Sequence, residues 1–237
     1  TVTYFFYLLR GLFEEYLSTF VYSNDRSKKN STMNTKFLIT ADSNRSALLK
    51  KKIIHYYIAN GDATIAELCK EMDLSIPTVT KLVGELLDDG YILDFGKQET
   101  NGGRKPNIYG LNPVSGYFVG VDVFRSKINV AAVDFKGDKL RVEENIPYSL
   151  ENTPEALEIL CNLINDFIDR LSVPREKVLA VGVNISGRVN PVSGYSYSIF
   201  YFEEKPLSQI LEERINIKIY IENDTRAMMY GEYMQGV

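Results

Sequence analysis

From Thr64 to Gly90 the apolar residues recur at three- and four-residue steps in two short runs that meet at Leu74-Ser75, which confines this part of the chain to a pair of amphipathic helices. Thr64-Ile65-Ala66-Glu67 reads as a capping box: the threonine side chain and the glutamate three residues on satisfy amides at each other's end. Ile65, Leu68, Cys69 and Met72 then form one apolar stripe. Ser75 starts the second helix, and Pro77 falls in its first turn, where the missing amide is tolerated. Ile76, Val79, Leu82, Val83, Leu86 and Leu87 make its apolar side, and Gly90 ends it.

Opposite that stripe lie Pro77, Thr78, Lys81, Gly84, Glu85 and Asp88, with Thr80 at the edge. The N-terminal half of this face is uncharged or basic, so its hydroxyls and lysine suit base edges or phosphates while the acidic end points away. The same face also suits the solvated side of a small helical bundle. Flanking segments favour the first reading. Upstream, Ser46 to Asn60 predicts a third helix, with Leu48, Leu49, Ile53, Ile54, Tyr57 and Ile58 apolar, Lys50, Lys51 and Lys52 near its start and Gly61 closing it. Downstream, Tyr91 to Phe95 and Asn107 to Leu111 are strand-like, and the polar stretch between them would form a wing. Its end, Asn101-Gly102-Gly103-Arg104-Lys105-Pro106, is slim, flexible and cationic, which suits a narrow minor groove as well as a solvated loop. Residues 43–112 are therefore expected to be a winged helix-turn-helix, contacting DNA through Ser75, Pro77, Thr78, Thr80, Lys81, Arg104 and Lys105.

A chain of 237 residues suggests two domains. Its 45% hydrophobic and 24% charged residues match a soluble globular protein, and a net charge of -4 means that any DNA contact must come from local basic clusters. Cys69 and Cys161 lie far apart on apolar helix sides and read as reduced core residues of a cytoplasmic protein, without metal-ligand spacing. Thr1 to Tyr22 is rich in Phe, Tyr and Leu, but Arg10, Glu14 and Glu15 interrupt it, so it is not expected to span a membrane. It also lacks the basic start and small-residue cleavage site of a secretory signal. Residues 1–42 read as a non-native or disordered extension, with Met33 as the expected natural start.

Residues 113–237 begin after Asn112-Pro113. Tyr117 to Phe124, Lys127 to Phe135 and Lys139 to Tyr148 predict three hairpin strands. A helix follows from Thr153, with Pro154 first and Ala156, Leu157, Leu160, Leu163, Ile164, Phe167 and Ile168 inside. Then come a strand from Val178 to Ile185, a helix around Leu207 to Arg214, a strand from Ile217 to Ile221 and a last helix from Thr225. This order predicts an α/β fold of the ribonuclease H-like, actin-like ATPase kind, behind an all-α winged-helix domain.

Three segments carry a family resemblance: Gly120-Val121-Asp122-Val123-Phe124-Arg125-Ser126-Lys127, then Val181 to Asn190, then Ile221-Glu222-Asn223-Asp224-Thr225-Arg226-Ala227. Together they resemble successive motifs of the ROK family, which contains sugar kinases and sugar-responsive repressors. The resemblance runs from about Ser43 to Val237, and the Gly-Gly-Arg-Lys-Pro wing is similar to the DNA-binding part of the repressor branch. In the kinases the aspartate of the first strand is followed by one residue, two glycines and a threonine, whose open backbone cradles ATP phosphates. Here Phe124 and Arg125 replace the glycines, which argues against ATP chemistry and against an enzyme. Asp122 is then either a vestige of a magnesium-associated residue or a structural carboxylate at a strand end.

By resemblance, Asp224 matches the general base of the kinases and Asn223 a sugar contact, a pair useful for binding vicinal hydroxyls without catalysis. The pair also suits an Asx cap on the helix from Thr225. Ser186-Gly187 would face the same cleft, although Asn184 and Ser186 replace a glycine and proline usual in the family. The family's Glu/His sugar segment, zinc site and second lobe would lie beyond residue 237, so no cofactor is assigned to this chain and its effector lobe reads as incomplete. The expectation is a cytoplasmic, sugar-responsive transcriptional regulator, a repressor of carbohydrate-utilisation genes. It would bind a palindromic double-stranded operator as a homodimer or higher homo-oligomer and take a sugar or sugar phosphate as effector at Ser186, Gly187, Asn223 and Asp224. The alternatives are a ROK-type sugar kinase with an added winged helix, and an interaction module that binds no DNA.

Overall fold

The computed structural model describes residues 45–97 and 106–235, with side chains through Met229. The extension at 1–42 and the wing residues Arg104 and Lys105 lie outside the described residues. The chain divides between Ser115 and Gly116 into two compact units. Among the described residues no helix is long and apolar enough to cross a membrane.

The N-terminal unit contains α1 (Arg45–Asn60), β1 (Ala63–Thr64), α2 (Ile65–Met72), α3 (Ile76–Asp88), β2 (Ile92–Lys97) and β3 (Asn107–Leu111). The capping box forms as its sequence predicts: the Thr64 amide donates to Glu67 Oε2 at 2.7 Å and the Glu67 amide to Thr64 Oγ1 at 3.3 Å. Asp73, in the left-handed region at φ 52°, ends α2 by donating its amide to the Cys69 carbonyl. Leu68 from α2, Ile53 and Ile54 from α1, and Val79, Leu82, Val83 and Leu86 from α3 are buried and form the core of this unit. The three-stranded sheet runs β1-β3-β2 and is antiparallel throughout. Strand β1 is too short to carry any alternation, and only its pairing with Ile108 and Tyr109 makes it a strand.

Two side chains of these helices stand out. Lys50 turns inward: its Nζ lies 2.7 Å from Glu85 and 3.4 Å from Asp89, bracing α1 on α3. Ile76 is not part of the buried stripe of α3, being 65% exposed, because at the first residue of the helix no neighbouring element covers it.

The C-terminal unit contains β4 (Tyr117–Val123), β5 (Lys127–Asp134), β6 (Lys139–Pro147), α4 (Pro154–Asp169), β7 (Val178–Ile185), β8 (Val189–Asn190), β9 (Tyr195–Ser196), α5 (Leu207–Ile215), β10 (Ile219–Asn223) and α6 (Asp224–Gln235). Its five-stranded sheet has the order β10-β7-β4-β5-β6. Strands β4, β5 and β6 form an antiparallel meander, while β7 and β10 run parallel to β4. This is the mixed sheet of a ribonuclease H-like lobe. Val119, Val121 and Val123 of β4, with Val181, Val183 and Ile185 of β7, face the same core as Leu157, Leu160, Ile164 and Phe167 of α4 and Leu207, Ile210 and Leu211 of α5. Strand alternation therefore puts Asp122 and Asn184 on the opposite face. Helix α4 starts as expected, with Pro154 first and the Thr153 hydroxyl accepting from the Ala156 amide at 3.2 Å. The hairpin β8–β9 escaped sequence reading because two-residue strands have no periodicity. Strand β10 lies two residues later than predicted, so α6 begins at Asp224.

The reciprocal box at Thr64 closes one end of α2. Thr64→Ala is expected to cost about 1 kcal/mol locally, and Thr64→Ser to retain most of it. Amide exchange at Glu67 and Leu68 reads this directly: faster exchange in the alanine variant and near-native exchange in the serine variant.

Candidate DNA-reading helix and effector cleft

The exposed side of α3 follows from its core side. Burial of Val79, Leu82, Val83 and Leu86 leaves Ser75, Ile76, Pro77, Thr80 and Lys81 exposed, with Thr78 half-buried. Ser75 precedes the helix in extended backbone, and its carbonyl accepts the first helical bond, from Val79 at 3.1 Å. Its hydroxyl makes no cap; it lies 2.8 Å from the Thr78 hydroxyl, so these two predicted contacts are paired with each other. Lys81 keeps 77% of its side chain exposed and approaches Glu85 only to 3.9 Å, whereas Glu85 is held by Lys50 at 2.7 Å. Glu85 is thus held from inside the unit, and the ammonium of Lys81 stays available to an anion. Gly84 lies mid-helix on the same side, and a Cβ built there meets nothing within 4 Å. Of the predicted DNA contacts, α3 carries Pro77, Thr78, Thr80 and Lys81 on its side away from the core, and Ser75 is the residue just before its start.

In the C-terminal unit, register rather than sequence proximity assembles the cleft. Asp122 pairs with Asn184, and Asn184 with Glu222, across the parallel strands β4, β7 and β10. Their carboxyl ends therefore finish together, the position at which open α/β sheets bind ligands. Asn184 Nδ2 donates to Asp122 Oδ1 at 2.6 Å, and Ser186 Oγ donates to Asp224 Oδ2 at 2.6 Å. Asn223 Nδ2 donates to the Gly187 carbonyl at 2.8 Å and to Asp224 Oδ1 at 3.0 Å. All four residues of the predicted effector set, Ser186, Gly187, Asn223 and Asp224, thus belong to one hydrogen-bonded cluster. Burial pushes the Asp122 carboxyl up to about 6, the nearby Asp224 charge adds to the rise, and the Asn184 bond opposes it.

The capping expectation at the last helix is met one residue earlier than predicted. Asn223 Oδ1 accepts the Arg226 amide at 3.1 Å, so Asn223 caps α6, and Asp224 is the first residue of the helix. The Asp224 side chain accepts from the Thr225 amide at 2.8 Å. Gly187 has φ +106°, and a Cβ there would lie 2.5 Å from the side chain of Ser198, so a glycine is required on two grounds. Ser198, which accepts the Arg188 amide at 2.9 Å, packs beside Gly187 but was not picked out in the sequence. The turn Asn190-Pro191-Val192-Ser193-Gly194 was its one legible signal, because it folds β9 back toward Gly187.

Comparison with known proteins bears on both units. The ROK family model matches residues 118–237, and a winged helix-turn-helix DNA-binding model matches residues 48–92. The xylose repressor of Caldicellulosiruptor bescii is 26% identical over 168 residues, covering 70% of this chain and 42% of that protein. The DNA-binding transcriptional dual regulator NagC of Escherichia coli (strain K12) is 26% identical over 179 residues, 74% of this chain and 44% of its own length. The chain therefore spans less than half the length of these relatives. A solved ROK family transcriptional regulator, a homolog of the E. coli MLC protein, superposes with a TM-score of 0.56 at 20% identity, over 73% of this chain and 44% of that one, and so shares the fold. With its mixed β10-β7-β4-β5-β6 sheet and the ROK match over residues 118–237, the chain belongs to the ROK family and joins that lobe to an N-terminal winged helix-turn-helix.

Proposed function

We propose that this chain is a sugar-responsive transcriptional regulator, a repressor of carbohydrate-utilisation genes, that binds a double-stranded operator as a homo-oligomer. One observation carries the reading: a groove-sized helix with an uncharged-to-basic exposed face shares a chain with a ROK lobe whose polar strand ends are assembled but whose phosphate turn is closed. The Phe124 amide donates to the Lys127 carbonyl at 2.9 Å, and the Lys127 ammonium lies 5.5 Å from the centre of the Phe124 ring. A phosphate cradle needs free amides and bare backbone at that turn. Asn184, standing where the family resemblance implies a glycine, occupies Asp122, which further supports binding without phosphoryl transfer. Sugar named in the relatives, xylose or N-acetylglucosamine, indicates the effector class: a monosaccharide whose vicinal hydroxyls meet Asn223 and Asp224. Operator contacts are assigned to Ser75, Pro77, Thr78, Thr80 and Lys81 on α3, with Arg104 and Lys105 of the wing reaching the minor groove.

Selection of genomic fragments on the purified chain, followed by elution with single sugars, tests both units together. Enrichment of a common site is expected, with Lys81→Ala and Arg104→Ala each weakening binding and lowering the salt slope by about 1. Unchanged affinity in both variants would exclude the assigned face.

Gly84 supplies an independent check, because alanine meets no clash there. Gly84→Ala is expected to raise stability by about 0.5–1 kcal/mol. If the glycine serves close approach to DNA, the same variant binds its site more weakly; denaturant titration and fluorescence anisotropy on one preparation separate the two effects.

Asp122 makes stability depend on pH. Its carboxyl titrates at about 6 when folded, against about 3.9 when unfolded. Between these values the native state holds more protons, so this contribution to stability is present at low pH and is lost as pH rises through about 6. Asp122→Asn should flatten that decline in thermal melts. Asn184→Ala should move the midpoint further up by removing the donor to Asp122. An unaltered slope in Asp122→Asn would assign the decline to another group.

A further inference from the structure

We propose that Ile76 is a specificity-determining residue of α3, reading the C5-methyl group of thymine in the major groove; this rests on the DNA-binding reading above. Ile76 is the first residue of α3 and is 65% exposed, the most exposed large apolar side chain on the helix. Helical side chains lean toward the helix N-terminus, so this one projects past the end of α3, the end a recognition helix presents to base edges. A β-branched side chain is stiff at χ1, so an isoleucine held there is an apolar knob with little freedom to lose on binding.

The surroundings favour apolar over polar reading at this tip. The Ser75 and Thr78 hydroxyls lie 2.8 Å apart and hydrogen-bond each other, so one of the two O–H groups is committed within the chain. Pro77 is exposed beside Ile76, and Thr80, one turn on, brings a further methyl group to the same side. The leading edge of the helix is thus formed by aliphatic carbon from Ile76, Pro77 and Thr80, flanked by Lys81 for phosphate. Of the four bases only thymine presents a methyl group in the major groove, and that methyl alone separates it from uracil.

The full chain would be used to select sites from a randomised duplex library, and the resulting consensus remade with uracil in place of each thymine in turn. Wild type is expected to lose about three- to tenfold in affinity at one thymine in each half-site. Ile76→Ala, with an unchanged melting temperature, should bind thymine and uracil duplexes equally and keep the wild-type salt slope. Ile76→Val, which retains the branched carbon, should restore the discrimination. A consensus without thymine, uracil duplexes bound as tightly as thymine duplexes, or equal losses by Ile76→Ala on both would overturn the assignment. If wild type enriches no sequence, the DNA-binding reading itself falls, a result distinct from enrichment that ignores the methyl group.

Discussion

Parallel pairing of β4, β7 and β10 in one register determines what the C-terminal unit can do. The pairing levels Asp122 with Asn184 and Asn184 with Glu222, so three segments distant in sequence end at one edge. Both faces of the central strands are buried, and a slip of one residue would exchange the aliphatic and polar sets between them. Val121 and Val183 cannot leave the α4 side without Asp122 and Asn184 entering it, which makes the core the guarantor of the cleft. Helix α6 then follows β10 directly, and its cap is made by a cleft residue.

Similar economy governs the N-terminal unit. Leu68, Val79, Leu82 and Leu86 fasten α2 and α3 together from within, and Lys50 holds Glu85 from the α1 side. Lys50 is the more buried partner, and without Glu85 its ammonium would depend on Asp89 at 3.4 Å. The consequence of the pair lies one turn back on α3: with Glu85 drawn to Lys50, Lys81 keeps its charge exposed.

Periodic and capped segments were legible in the amino-acid sequence, because both signals are local. The Thr64 box, the Pro154 start and the strands at 107–111 and 178–185 stand where spacing puts them. Elements defined by a partner were not: β1 exists through Tyr109, and β8–β9 through a turn that returns Ser198 to Gly187. Ile76 failed for another reason. Its spacing fits the buried stripe, but periodicity describes an endless helix, and a first residue has no preceding turn or neighbour to cover it. Within the cleft, family resemblance pointed to Ser186, Gly187, Asn223 and Asp224, whereas the tie from Asn184 to Asp122 depends on strand register, which sequence alone did not set.

Asn223 serves several purposes at once. Its carbonyl oxygen caps α6, and its amide group holds Gly187 and Asp224, while Ser186 takes the other oxygen of Asp224. Before any ligand arrives, these polar atoms are already satisfied by one another. On the proposed reading, a polyol docking there would exchange internal hydrogen bonds for new ones, so its net gain per hydroxyl would be small, while a stereoisomer that displaced a bond without replacing it would leave a stranded partner. Under the proposed effector reading such a site would trade strength for discrimination, and because Asn223 also caps α6, a hydroxyl that displaced its Oδ1 bond to Arg226 would act at the same moment on the end of a helix.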